Sequence, residues 1–193
     1  TGMINTCVNL ATITIDPENE YYVVKDGILY DKAMTTIVLI PAALELATLV
    51  IPDTVTTLPD NTLPGLKVKN IVIPEGITSL PYGGFRGSSV ETITLSSTIT
   101  SLPYGAFQNC ANLREVNLEY VVSYQGSVFN GCKSLTEIKL NSKADINGAF
   151  SLFADCTGLT EFIFPEGTTT IPQYMFENCV NLAKITIPET VTN

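Results

Sequence analysis

The sequence predicts a stacked-repeat solenoid of the α/β horseshoe class, strand-rich, with a parallel sheet of one strand per 22–24-residue repeat. Three observations predict it. Phe85, Phe107, Phe129, Phe153 and Phe176 recur at intervals of 22, 22, 24 and 23 residues. Cys110, Cys132, Cys156 and Cys179 keep step, each three residues after its Phe, and Leu113, Leu135, Leu159 and Leu182 follow three residues later again. Each unit then carries an alternating apolar pair: Val116/Leu118, Ile138/Leu140, Phe162/Phe164 and Ile185/Ile187.

The spacing assigns each element. Alternating apolar residues share one face of a strand, and Thr, Val and Ile favour strands. Diverged copies extend the register toward the N-terminus, with Ile4 and Leu63 in the Phe position. Strand-like segments are therefore expected at 10–15, 46–51, 68–73, 90–95, 113–118, 135–140, 159–164 and 182–187. Pro52, Pro74, Pro165 and Pro188 end strands, because proline cannot donate a ladder hydrogen bond. The Phe lies in a second element, Gly-Ala-Phe-x-x-Cys, expected as a short helical or 3-10 turn. A unit this short cannot bury its own apolar face; stacking at roughly 4.8 Å per rung buries a continuous core.

One unit is longer. Asp26-Gly27 between the apolar runs Tyr21–Lys25 and Ile28–Asp31 is a hairpin signal, so residues 20–41 are expected as a β-hairpin insertion, with strands near 21–25, 28–31 and 36–40. The whole of 1–193 is expected as a single solenoid. Its ends fall within units, Ile4 at a Phe position and Val191-Thr192-Asn193 before a Leu-Pro, which reads as a piece of a longer array.

Composition excludes much. Apolar residues make up 45% and charged residues only 15% of the 193 positions, which argues against disorder. The 25 threonines suit solvent-facing strand and turn positions. A net charge of −9 disfavours nucleic acid as a partner. The absence of His removes Ser-His-Asp triads and His-ligated zinc. No apolar stretch approaches the roughly 20 residues of a membrane-spanning helix.

The unit Phe-x-x-Cys-x-x-Leu-x-x-Ile-x-Ile-Pro resembles the BspA-like, or Treponema pallidum-type, leucine-rich repeats. The Tyr-x-Val-x-Asp-Gly-Ile-Leu-Tyr segment resembles the strand insertion common in that family. The resemblance implies a leucine-rich-repeat solenoid from an extracellular protein of the bacterial cell surface. It implies noncatalytic binding or adhesion to a host or neighbouring-cell protein, with no cofactor. A structural spacer and a glycan-binding accessory module are the alternatives. A monomer is expected.

Candidate binding residues follow from the register. On the solvent face of the sheet, one column holds Thr94, Asn117 and Lys139, and its neighbour holds Glu115, Glu137 and Glu161. Three glutamates on successive rungs make an acidic stripe suited to a basic or polar partner, or to solvation alone. Paired carboxylates also serve glycosidases, but no pocket-forming insertion or Gly-rich loop accompanies them in this sequence. Tyr82 and Tyr104 share one position in Leu-Pro-Tyr-Gly units and are expected to stack on the outer edge, as a contact surface or as packing. The cysteines are read as a ladder of buried thiols, since stacked rungs separate like atoms too far for disulfides.

Overall fold

The computed structural model describes residues 7, 9–58, 63 and 65–192. Ile4 lies outside them. The chain winds as a parallel β-solenoid of about 6 turns. Its main sheet contains β4 (Leu46–Val50), β5 (Val68–Val72), β6 (Thr92–Thr94) and β8 (Glu115–Val116), all parallel and adjacent in that order. A second piece, β10 (Glu161–Ile163) with β11 (Lys184–Thr186), continues the same repeat position. Equivalent apolar residues meet rung to rung, Leu49↔Ile71↔Ile93↔Val116. A two-stranded ladder, β7 (Ser101–Leu102) with β9 (Ser123–Tyr124), runs where the chain leaves the sheet for the Phe segment.

The Phe segments form no helix among the described residues. Their expected helical turns are instead a zigzag that divides its hydrogen bonds. Alternate N–H groups close local turns, such as Gly84 N to Pro81 O at 3.0 Å and Ser88 N to Phe85 O at 3.0 Å. The residues between them bond the next rung, such as Phe85 N to Ala106 O at 2.9 Å and Gly87 N to Gln108 O at 2.8 Å. A helix would spend every N–H within the turn; here half of them stitch neighbouring rungs. The zigzag needs a left-handed residue at two places four apart. Gly83 and Gly87 fill them in one rung, Gly105 and Asn109 in the next, and Asp155 and Asn178 take the second place further on. Glycine, and next Asn and Asp, tolerate that conformation best.

The core is one continuous column. Phe85, Phe107, Phe129 and Phe153 are fully buried and stack with centroids 5.7, 5.6 and 5.5 Å apart, and Phe176 follows Phe153 at 6.0 Å. Each fully buried Phe contributes about 1.5–3 kcal/mol through removal from water.

The insertion folds as an antiparallel sheet of β1 (Tyr22–Lys25), β2 (Ile28–Asp31) and β3 (Ile37–Leu39). Asp26 and Gly27 both have positive φ, at 52° and 78°, as the tight hairpin turn requires. Ile28, Tyr30 and Ile37 are buried in the main core, so this sheet covers the N-terminal side of the solenoid. It is tied on by Thr56 N to Thr35 O at 3.1 Å and by the Thr54 hydroxyl to Met34 O at 2.7 Å. At the other end Val180, Ile185 and Ile187 are exposed.

Two expected strands are missing. Segment 10–15 is irregular; its link to the following unit is Ala43 N to Leu10 O at 2.8 Å. Segment 135–140 is also irregular, and there the main sheet parts.

Candidate functional site

The parted sheet forms a cleft of about 560 Å³. Its origin lies in side chains. Along the intact sheet one ladder bond repeats: Ile51 N to Val72 O, Ile73 N to Thr94 O and, past the break, Phe164 N to Thr186 O. At Leu95 the amide is met instead by the Asn117 side chain, Oδ1 accepting at 2.6 Å while Nδ2 donates to Leu95 O at 2.9 Å. Among the described residues, Glu137 to Leu140 make no backbone hydrogen bond at all. Two features oppose pairing here. Glu115, Glu137 and Glu161 occupy one repeat position on consecutive rungs, and like charges directly opposite destabilise a ladder. Phe162 and Phe164 replace the Ile pair of other rungs and pack edge-on at 5.0 Å and 88°, a bulkier arrangement.

The rungs part only on the sheet side. The zigzag column stays bonded through the break, with Phe107 N to Val128 O at 3.0 Å, Phe129 N to Leu152 O at 3.0 Å and Phe153 N to Met175 O at 3.0 Å. The cleft is thus a wedge hinged on the Phe stack. Val116 and Ile138 are only half-buried, although their counterparts Ile71 and Ile93 are 1% and 2% exposed. Ile163 stands 63% exposed at the cleft. Four carboxylates, Glu115, Glu137, Glu161 and Glu166, and two cations, Arg114 and Lys139, share the lining. Among the described residues, ion pairs form only at Lys69–Glu91, 3.5 Å, and Lys184–Glu161, 3.7 Å. Glu115 and Glu137 have no such partner within reach among them.

The sequence-derived candidates divide accordingly. Glu115, Glu137, Glu161 and Lys139 all line the cleft. Thr94 is exposed on the intact sheet beside it. Asn117 is exposed too, but its amide is committed to Leu95. Tyr82 and Tyr104 sit in the zigzag column and stack at 5.1 Å and 14°. Phe150 packs on Tyr104 at 5.8 Å, so Tyr104 has aromatic neighbours on both sides. Phe150 reaches across because Gly126 occupies the intervening rung; a Cβ there would lie 2.6 Å from the Phe150 ring.

Sequence reasoning missed Phe150 and the cleft itself; it placed Ile163 in the solvent-facing column and Phe162/Phe164 in the apolar pair, but not as parts of a site. The available signal was Phe-Ile-Phe at 162–164, where other rungs carry Ile-x-Ile, together with Gly126 three residues before Phe129.

The thiols form the expected row. All five cysteines are free; Cys110, Cys132 and Cys156 are buried, Cys179 is half-buried and Cys7 is exposed rather than part of the row. Each of the four Sγ–H groups donates to a Phe carbonyl of the preceding rung: Cys110 to Phe85 O at 3.0 Å, Cys132 to Phe107 O at 3.2 Å, Cys156 to Phe129 O at 3.0 Å and Cys179 to Phe153 O at 3.0 Å. Burial pushes the Cys110 thiol up to about 11 and the Cys156 thiol to about 12, which suppresses the reactive thiolate.

Residues 42–151 and 85–193 match the BspA type leucine rich repeat region, in six copies. No curated protein matches the chain. Among solved structures, a leucine-rich repeat protein from Eubacterium ventriosum is similar at 22% identity and a TM-score of 0.63, with 99% of this chain and 52% of that one covered. A leucine rich cell surface protein from Faecalibacterium prausnitzii is similar at 24% identity and a TM-score of 0.59, covering 93% and 42%. The T. pallidum leucine rich repeat protein is similar at 18% identity and a TM-score of 0.51, covering 91% and 84%. This chain therefore spans about half the length of the first two. With the repeat match running from residue 42 to residue 193, the chain belongs to the BspA-type leucine-rich repeat family.

Proposed function

We propose that this chain is a noncatalytic binding module of a bacterial cell-surface protein, engaging a host or neighbouring-cell protein through its extended sheet face. The observation that carries this reading is the acid-rimmed cleft of about 560 Å³ on that face, where Glu115 and Glu137 lack ion-pair partners among the described residues and Ile163 stands exposed. Apolar contact area within a polar rim is how protein partners are held. The family membership supports a repeat-based binding role, and the F. prausnitzii relative is itself described as a cell surface protein. The rigid stack of Phe residues supports it as well, since a preorganised surface loses little entropy on binding.

The test is direct. The purified chain is applied in a dilution series to immobilised host-matrix proteins and to intact epithelial and bacterial cells. Saturable retention, competed by excess unlabelled chain, is the expected outcome. Retention that rises linearly on every surface, or none, would favour the spacer role instead.

A further inference from the structure

We infer that the parted rung at 135–140 is a docking groove for an extended, lysine- or arginine-bearing segment of a partner protein, which enters as an added strand. The inference rests on the reading of this chain as a protein-binding module and names the partner's chemistry.

Three observations converge. Among the described residues, the backbone of Glu137–Leu140 makes no backbone hydrogen bond, while the flanking strands pair on the sides away from it, β8 with β6 and β10 with β11. Strand positions therefore stand open inside an otherwise regular sheet. Added strands bind through such open ladder groups and select side chains through alternate pockets. The cleft volume of about 560 Å³ falls within the roughly 300–1,000 Å³ of sites that enclose small ligands or short chain segments. Half-buried Val116 and Ile138 on the core side, and exposed Ile163 on the solvent side, offer apolar contact to the two faces of an incoming strand.

Charge selects among strands. Carboxylates outnumber cations in the lining, Glu115 and Glu137 lack ion-pair partners among the described residues, and the whole chain carries −9. An acidic segment would add further like charge to a stripe whose own repulsion already opposes pairing. A segment with Lys or Arg at alternate positions neutralises that stripe and removes the reason for the sheet to stay open. Lys139 and Arg114 also border the cleft, so an entirely basic segment fits less well than one mixing basic and apolar residues.

The experiment uses the full chain and fluorescently labelled synthetic peptides about ten residues long, alternating Val or Thr with Lys. Glu replaces Lys in a second peptide, and alternate amides are N-methylated in a third. Polarisation is read at low salt and at about 0.5 M NaCl. Binding of the Lys peptide alone is expected. The triple variant Glu115→Gln, Glu137→Gln, Glu161→Gln weakens it about tenfold, three surface charge contacts being removed together. A control triple, Glu119→Gln, Glu177→Gln, Glu189→Gln, removes the same charge at exposed positions outside the cleft and changes affinity by less than about threefold. Circular dichroism verifies that both variants fold. Absence of binding, equal losses in the two triples, equal binding of the Glu peptide, or undiminished binding of the N-methylated peptide each overturns the inference. If the chain is retained on cells equally with and without the cleft triple, the groove assignment falls and the binding-module reading stands. If the Lys peptide binds in the groove but no cell or matrix surface retains the chain, the reverse holds.

Discussion

Each buried thiol donates to the Phe carbonyl one rung back, and this bond explains why cysteine, rather than alanine or leucine, holds the position. The site admits a small group and also presents a carbonyl that needs a donor. Ser88 takes the place in the Phe85 unit and meets Cys110 Sγ at 3.3 Å, continuing the polar row. The row makes stability pH-dependent in a definite sense. An unfolded thiol ionises near 9.0, whereas burial raises the folded Cys110 to about 11, Cys156 to about 12 and Cys132 well above 9.0. The folded state therefore keeps protons that the unfolded state releases. This stabilising contribution is complete below about pH 9 and is lost as the pH rises through the folded values. Urea midpoints should accordingly fall between pH 9 and 11, and Cys110→Ala with Cys156→Ala should flatten that decline; an unchanged slope in the double variant would refute the assignment. The row was legible in the sequence because its period is that of the fold. The commitment of Asn117 to Leu95 was not, since a side chain that replaces a missing ladder bond reveals itself only beside the gap.

At the scale of elements, one repeat position has different energetic weight in different rungs. Ile71 in β5 is 1% exposed between paired strands on both sides, while Ile185 in β11 is 43% exposed and pairs with Phe162 of β10. Ile71→Ala should cost about 2–5 kcal/mol, as for buried Ile truncations generally. Ile185→Ala should cost well under half as much, because less contact is lost. Chemical denaturation of the two variants measures the ratio, and equal losses would show that Ile185 is packed as tightly as Ile71. The insertion shows the complementary case. Its hairpin was readable from Asp26-Gly27 and its three strands fall close to the expected ranges. Its role as a cover for the N-terminal side depends on where Ile28, Tyr30 and Ile37 land, which local patterning leaves open.

For the whole molecule, charge and stacking act together. A solenoid distributes its stability over neighbouring rungs, so an interface weakened at one place lowers cooperativity between the halves it joins. The weak interface is the parted rung, where the sheet ladder lapses at Glu137–Leu140 while the zigzag column, the Phe stack and flanking bonds such as Ser134 N to Ala111 O and Asp145 N to Val122 O continue. With 19 acidic against 10 basic residues, and ion pairs among the described residues limited to Lys69–Glu91 and Lys184–Glu161, repulsion is largely uncompensated. Raising NaCl from about 10 mM to about 150 mM should raise the melting temperature by a few degrees, because the screening length falls from roughly 30 Å to 8 Å. A fall in melting temperature over that range would mean that attractive pairs dominate instead.

The residue pattern alone specifies the solenoid, its register, the face that each apolar residue buries, the Phe column and the thiol row. All of these repeat every 22–24 residues, and a periodic pattern can be read from one unit and checked in the next. Where the pattern fails is a matter of three-dimensional packing. A ladder bond requires two rungs at once, so the break at 135–140 appears only when three glutamates and the Phe162/Phe164 pair are set against their neighbours. Individually each of those residues is compatible with a strand. Together they set charge repulsion and bulk against hydrogen bonds that solvent can replace, and the sheet opens on its solvent face.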